Sequence, residues 1–245
     1  MVAPLDETSP ERLCSNLAAV RGRIAEACRR AGRRVGDVTL VGVTKYVSAA
    51  LATQLVEAGC HDLAESRPQA LWAKADALAT LVPAPRWHLV GHLQRNKVRR
   101  TLPVLSLLHS LDSRRLLETL DAEARAAGRP CEVLVEVNLA GDPDRTGLPE
   151  DQVAPLLEAA AACTHVRVRG LMGMASVPEG PGAAVTARRQ FARLRELRDR
   201  LRLVVPQQVS LTELSMGMSE DFEEAILEGA TLVRVGSALW EGVTG

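Results

Sequence analysis

The chain has 245 residues, of which 47% are apolar and 24% charged, and its 30 basic side chains balance 30 acidic ones. This composition is typical of a soluble globular protein and excludes a disordered tail. A formal net charge of zero argues against a general nucleic-acid binder, and because no apolar stretch approaches about 18 residues, we expect no membrane span.

The five cysteines are dispersed along the chain without a CxxC pair, a pattern typical of free thiols in a reducing compartment. The N-terminal segment carries acidic residues and no apolar core, so it does not resemble a secretory signal. We therefore expect a cytoplasmic protein, and the lack of heptads favours a monomer. No HExxH or paired CxxC motif occurs, so no metal site is predicted.

In chain order, a helix is predicted first, over residues 10–31. Beyond it, short β-rich apolar runs alternate with longer segments of helical periodicity, as in parallel βα units. The eight predicted strands are residues 38–44, 61–65, 86–91, 105–110, 132–138, 167–172, 209–215 and 231–236. The predicted helices between them are residues 49–58, 68–80, 93–102, 113–127, 149–162, 184–203 and 219–228, the last with Ser219 as its N-cap.

This order of elements predicts an α/β protein with a single (β/α)8 TIM barrel and an extra N-terminal helix. The one Pro/Gly-rich stretch, residues 177–182, is too short for an interdomain linker, so residues 1–245 are expected to form one domain. A doubly wound open sheet is the main alternative. It is less favoured because no Gly-rich phosphate signature follows the first strand.

Lys45 is the first candidate functional residue, because a barrel carries its working residues just after the strands and Lys45 follows the first one. Lysine occurs only at Lys45, Lys74 and Lys97 in a chain with 30 basic residues. A lysine amine can form a Schiff base, which arginine cannot do. The alternatives are that Lys45 snorkels or forms an ion pair, and that coding bias explains the scarcity of lysine.

The loops after the seventh and eighth strands predict an anion site. Residues 215–219 (SMGMS) and 234–237 (RVGS) combine small residues, which let backbone N–H groups approach an anion, with hydroxyl donors. Barrels frequently bind phosphate at this position, although ordinary turn chemistry would also use these residues. An amine opposite a phosphate site is what pyridoxal 5′-phosphate (PLP) requires.

Other polar or strand-end residues complete the predicted site. Arg234 shares a strand face with Gly236, and we expect its guanidinium either to face the cofactor's pyridine nitrogen and disfavour ring protonation or to form a salt bridge within the barrel. Asn138 and Met172 lie at the exits of the fifth and sixth strands. His88 lies in the third strand, where a hydrogen-bonded core histidine is the more common role. The basic cluster of residues 95–100 could receive an acidic partner or a ligand phosphate, although a solvated helix face is its usual role.

Several segments together resemble a known family. They are residues 40–45 (LVGVTK), 87–97 (WHLVGHLQRNK), 135–138 (VEVN) with 146–148 (TGL), 170–172 (GLM), 214–219 (LSMGMS) with 221–223 (DFE), and 233–238 (VRVGSA). Over nearly its whole length the chain resembles the pyridoxal-phosphate homeostasis proteins (YggS/PROSC type), which are similar to the barrel domain of alanine racemase without its second domain.

The resemblance implies that Lys45 holds PLP as an internal aldimine, that Ser215, Gly236 and Ser237 bind its phosphate, and that Arg234 faces the pyridine nitrogen. It also implies a role in vitamin B6 and amino-acid or keto-acid homeostasis, without an assigned catalytic activity, and PLP-recipient enzymes as transient partners. Two segments depart from the family pattern. A second lysine and a proline after Lys45 are replaced by residues 46–48 (YVS), and Gly-Glu-Asn is replaced by residues 64–66 (AES).

A PLP-dependent amino-acid racemase is the alternative function. Racemisation commonly needs a lysine and a tyrosine on opposite faces of the cofactor. The single tyrosine, Tyr46, follows Lys45 directly and is expected to project to the other side of the strand. This expectation favours a carrier of PLP over an enzyme.

Overall fold

Eight parallel strands close into a barrel in sequential order, and β8 pairs with β1. The computed structural model describes residues 10–142, 144–176, 180, 182–206 and 209–243. The strands are β1 (Thr39–Val43), β2 (Asp62–Glu65), β3 (Arg86–Leu89), β4 (Leu105–Leu111), β5 (Cys131–Val137), β6 (Val166–Gly173), β7 (Glu213–Ser215) and β8 (Leu232–Val235). The predicted (β/α)8 barrel is confirmed.

The helices of the described residues surround this barrel. They are α1 (Pro10–Arg30), α2 (Ala49–Glu57), α3 (Pro68–Ala77), α4 (Val98–Thr101), α5 (Arg114–Ala126), α6 (Glu150–Ala161), α7 (Ala183–Leu201), α8 (Phe222–Leu227) and α9 (Ser237–Trp240). Within the described ranges, no helix combines the length and apolarity needed to cross a bilayer.

Most strand residues are buried on both faces of the sheet, which explains why the strands appear as apolar-rich runs in the sequence. Outward-facing side chains pack against the helices in a large core, and a smaller core fills the barrel interior. The inner core consists of Val41, Val43, Ala64, Leu107, Leu134, Met172 and Leu232. Polar residues that share the inward face by period-two alternation, among them His109 and Arg234, are equally buried.

Helix α1 supports the last elements of the barrel. It presents a stripe of buried residues from Leu13 to Cys28 and packs against α8 and α9. The Asn16 amide nitrogen donates to the carbonyls of Leu239 and Glu241, at 3.0 and 2.9 Å. The predicted extra N-terminal helix is therefore a structural support for the segment that follows β8.

The seventh strand and the helix 93–102 are among the elements that are shorter than predicted. The seventh strand begins at Glu213 instead of residue 209, and Leu214 N donates to the Thr231 hydroxyl at 2.9 Å, a side-chain bond that replaces part of the ladder to β8. The predicted helix 93–102 is a succession of single turns over residues 95–97, 98–101 and 102–104, and Pro103, within the last turn, has no N–H to extend α4. In the basic cluster of residues 95–100, the Arg100 guanidinium lies 4.1 Å from the ring centroid of Trp72.

The prediction that Ser219 caps the helix after β7 is wrong. Helix α8 begins at Phe222, and Asp221 is its N-cap residue. Ser219 lies two residues earlier, in a turn, so its hydroxyl is free to bond elsewhere. The predicted Pro/Gly-rich loop 177–182 lies mostly outside the described residues, as does the N-terminal segment considered for a secretory signal.

Candidate functional site

A cavity of about 500 Å³ opens at the carboxyl ends of the strands. Its lining includes Lys45 after β1, Ser66 after β2, and residues from the loops that follow β7 and β8. This is the face on which barrels carry their functional groups. The predicted amine and the predicted anion-binding loops therefore border the same cavity.

Lys45 lies in the turn after β1, exposed at the edge of the cavity, with its Nζ atom 5.6 Å from the ring centroid of Tyr46. Tyr46 has a left-handed backbone conformation (φ 71°) and is 87% exposed. The expectation that Tyr46 projects away from Lys45 is wrong. Strand β1 ends at Val43, and side chains alternate sides only within a strand.

A buried group of polar residues holds the chain just before Lys45. The Thr44 hydroxyl donates to Glu65 Oε1 at 2.6 Å, and Lys74 Nζ donates to the Thr44 carbonyl at 2.6 Å. Lys74 also forms an ion pair with Glu65, whose side chain is 1% exposed. Three elements, β1, β2 and α3, thus fix the position from which Lys45 extends. Sequence reasoning missed this group, because Lys74 has the spacing of an ordinary helix residue.

Ser219 connects the two predicted anion-binding loops. Its Oγ accepts hydrogen bonds from the backbone N–H groups of Gly236 and Ala238, at 3.2 and 3.3 Å. The two donors therefore point to one place on the cavity wall, next to Ser237. The sequence analysis placed Ser219 in the predicted anion-binding loop 215–219, but it assigned the side chain to a helix cap and missed its bonds to the loop after β8. Its only signal was its position in the same Ser/Gly loop as Ser215.

Arg234 lies on the inward face of β8 and borders the floor of the cavity. Its guanidinium donates to the Ser215 hydroxyl and, at 3.2 Å, to the Gly173 carbonyl. Burial lowers the pKa of Arg234 to about 10, although the carboxylates of Asp221 and Glu136 oppose the shift. The guanidinium therefore remains a cation at neutral pH, and its hydrogen bonds go to neutral acceptors.

The carboxyl groups near Arg234 also respond to burial. Burial raises the pKa of Asp221, which the hydrogen bond from the Met218 N–H partly offsets. Burial likewise raises the pKa of Glu136, although the Thr146 hydroxyl donates to it at 2.6 Å. Both groups therefore keep a proton more readily than an exposed carboxyl would.

Four of the eight predicted site residues line the cavity, namely Lys45, Arg234, Gly236 and Ser237. The other four lie elsewhere. Met172 belongs to the inner core, and Ser215 and His88 are buried in the barrel with bonds to His109. Asn138 holds the following loop by donating to the Asp142 carbonyl at 2.7 Å, and it lines a neighbouring cavity.

The comparisons with known proteins first define the class of the barrel. The family model "Alanine racemase, N-terminal domain" matches residues 15–242. An alanine racemase from Clostridium difficile 630 superposes with a TM-score of 0.70 at 13% identity, over 94% of this chain and 56% of that one. At this identity the similarity concerns the fold alone.

More similar relatives define the family. A pyridoxal phosphate homeostasis protein of Aquifex aeolicus is 37% identical over 227 residues, which is 93% of this chain and 96% of the relative. The structure of PipY from Synechococcus elongatus PCC7942 with PLP bound has a TM-score of 0.80 at 34% identity, over 93% of this chain and 99% of that one. The chain belongs to the pyridoxal phosphate homeostasis protein family.

Proposed function

We propose that this protein binds PLP in the cavity at the carboxyl ends of its strands and acts in vitamin B6 and amino-acid or keto-acid homeostasis. The observation that carries the proposal is that Lys45 and the donors of Ser219, Gly236 and Ser237 line one cavity. When bound, PLP supplies an aldehyde that reacts reversibly with amines. Residues 1–245 would act as a single PLP-binding domain.

The chemistry of the lining fits this cofactor. A phosphate requires several donors at one place, and the N–H groups of Gly236 and Ala238 already converge on the Ser219 hydroxyl. Lys45 supplies the amine that a Schiff base requires. Arg234 supplies a buried cation beside the cavity, which would disfavour protonation of a ring nitrogen facing it.

The same lining fits a carrier. Lys45 is exposed at the edge of the cavity, so small amines reach its Nζ from solvent. Thr44, Glu65 and Lys74 fix the backbone from which the side chain extends. The chain therefore presents, on a rigid backbone, an amine that can react reversibly with an aldehyde. This suits a protein that takes up a reactive aldehyde and releases it.

The experiment is borohydride reduction of the purified protein with PLP, followed by peptide mass spectrometry. We expect the reduced cofactor on the peptide that contains Lys45, and a visible absorption band that Lys45→Ala abolishes. Lys97→Ala is the matched control and should keep both signals. Modification confined to another lysine, or an unchanged band in Lys45→Ala, would refute the assignment.

A racemase is a second candidate, and the proximity of Tyr46 to Lys45 is the observation that favours it. A tyrosine hydroxyl is a suitable partner for a lysine in a two-base reaction. The measurement is the loss of optical rotation of L-alanine with PLP-loaded protein, compared with Tyr46→Phe. Turnover that depends on Tyr46 would support the enzyme, and no turnover would support the carrier.

The compartment, the oligomeric state and the partners belong to the same proposal. All five cysteines are free thiols, which suits a reducing compartment such as the cytoplasm. We propose a monomer that passes PLP to recipient enzymes. Light scattering of the protein as it elutes from a size-exclusion column measures its mass. Transfer of PLP to an apo-enzyme in the presence of an excess of an aldehyde trap tests direct delivery.

A further inference from the structure

A chain of hydrogen-bonded side chains crosses the barrel interior and ends at Arg234. It begins with Asp62, the first residue of β2, whose Oδ1 atom lies 3.1 Å from His88 Nε2. His88 Nδ1 lies 2.9 Å from His109 Nε2, and His109 Nδ1 lies 2.9 Å from Ser215 Oγ. Ser215 Oγ in turn accepts from the Arg234 guanidinium.

The two ends of the chain determine where its hydrogens lie. A guanidinium only donates and a carboxylate only accepts. Because Arg234 donates to Ser215 Oγ, the Ser215 hydroxyl donates onward to His109 Nδ1. His109 then carries its hydrogen on Nε2 and donates to His88 Nδ1, and His88 donates from Nε2 to Asp62. Both histidines are therefore neutral, with the hydrogen on Nε2.

The opposite arrangement leaves groups in conflict. A hydrogen on His109 Nδ1 would point at an oxygen that already accepts from Arg234, and the Ser215 hydroxyl would lose its acceptor. A hydrogen on His88 Nδ1 alone would set the Nε2 lone pair against the Asp62 carboxylate. His109 is 0% exposed, and its burial is the main cause that puts its pKa well below the usual value.

The charged groups around the chain lie at its two ends. Asp62 accepts from Arg86, the first residue of β3, as well as from His88. At the other end, Arg234 is attracted by the carboxylates of Asp221 and Glu136. Between these ends, the described chain consists of the two imidazoles and the Ser215 hydroxyl, so the direction of each bond follows from the donor Arg234 at one end and the acceptor Asp62 at the other.

We propose that His88, His109 and Ser215 are positioning residues for Arg234. They direct the Ser215 hydroxyl hydrogen away from the guanidinium, so that Oγ always presents a lone pair to it. Together with the Gly173 carbonyl, this holds the guanidinium in one orientation beside the cavity. The effect of this orientation on PLP binding rests on the proposed function. In this arrangement, the role of Ser215 is to support Arg234.

The first test needs no cofactor. In the ¹⁵N-labelled full-length protein, long-range ¹H–¹⁵N spectra separate protonated from unprotonated ring nitrogens, and His88→Gln and His109→Gln assign the signals. We expect the Nε2–H tautomer for both rings, with and without PLP. A hydrogen on Nδ1 of either ring would overturn the proposal.

The second test compares His109→Gln with His109→Leu. Glutamine offers one acceptor and one donor and can replace both bonds of the ring, whereas leucine offers neither. We expect His109→Leu to bind PLP about tenfold more weakly, the loss of one well-oriented hydrogen bond, with a shifted absorption band. His109→Gln should restore both. Wild-type affinity and spectrum in His109→Leu would overturn the proposal.

The two proposals fail in different ways. If the wild-type protein does not bind PLP, the proposed function fails, while the NMR experiment still decides the arrangement of the chain. If PLP binds but the tautomers differ from those stated, only the positioning role fails. Thermal unfolding of His109→Leu and His109→Gln without PLP shows whether each variant folds. The NMR spectra of the wild-type protein do not depend on that outcome.

Discussion

The ion pair below Lys45 gives the sharpest prediction of stability. Lys74→Met removes the ammonium that bonds both the Glu65 carboxylate and the Thr44 carbonyl. Glu65 is 1% exposed, so the variant leaves a charge that is buried and almost without compensation. Breaking a buried pair in this way costs about 3–5 kcal/mol, which is a large part of the roughly 5–15 kcal/mol by which a domain is stable.

Urea unfolding at pH 7 measures this loss, and two further variants separate its causes. The double variant Glu65→Met with Lys74→Met removes both charges. We expect its free energy of unfolding to exceed that of Lys74→Met by more than about 2 kcal/mol. Lys97→Met is the matched control and should change the free energy of unfolding by less than about 0.5 kcal/mol. A loss below about 1 kcal/mol in Lys74→Met, or a double variant less stable than the single one, would refute the reasoning.

Three other predictions concern the barrel. A Cβ on Gly170 would lie 1.9 Å from the Glu213 carbonyl oxygen, so Gly170→Ala should lower the free energy of unfolding in urea by about 3 kcal/mol. Gly22 lies in open space on α1, so Gly22→Ala should raise that free energy by up to about 1 kcal/mol. Equal effects of the two substitutions would contradict this reasoning. Burial raises the pKa of Asp62, but bonds from His88 and Arg86 outweigh it and hold the pKa below its usual value. The stability that these bonds add is present above about pH 4 and is lost as the pH falls through the lower folded pKa. The free energy of unfolding of Asp62→Asn should therefore fall less on acidification than that of the wild type. Parallel profiles of this free energy against pH would contradict the prediction. Trp240→Phe removes the hydrogen bond from Nε1 to the Val43 carbonyl (2.8 Å) and should lower the free energy of unfolding by about 1 kcal/mol or more. Thermal unfolding measures this loss, and an unchanged stability would show that the bond is negligible.

Much of the barrel could be predicted because its strands are buried on both faces. Residues 38–44 and 132–138 stand out as β-rich runs whatever their partners are, and parallel strands separated by helices leave few topologies. That Lys45, Gly236 and Ser237 border one cavity could be predicted from their positions, because strand exits meet at one rim.

The interior polar chain could not be predicted in the same way. His88 and His109 are 21 residues apart, and His109 and Ser215 are 106 apart, so no local spacing connects them. Their bonds depend on the stagger of neighbouring strands, which period-two alternation does not determine. Ser219 was misassigned for a related reason. A serine before acidic residues matches a cap pattern, and only the approach of β8 gives its hydroxyl a different partner.

Trp240 reaches back to the carbonyl of Val43, 197 residues earlier in the chain, and β8 closes the barrel against β1. During synthesis, the segment with Lys45 leaves the ribosome long before the segment that faces it. A nascent chain at that stage carries a nucleophilic amine but none of the backbone donors of residues 236–238. Under the proposed function, an anionic aldehyde would therefore find both its amine and its backbone donors only after β8 has closed the barrel against β1.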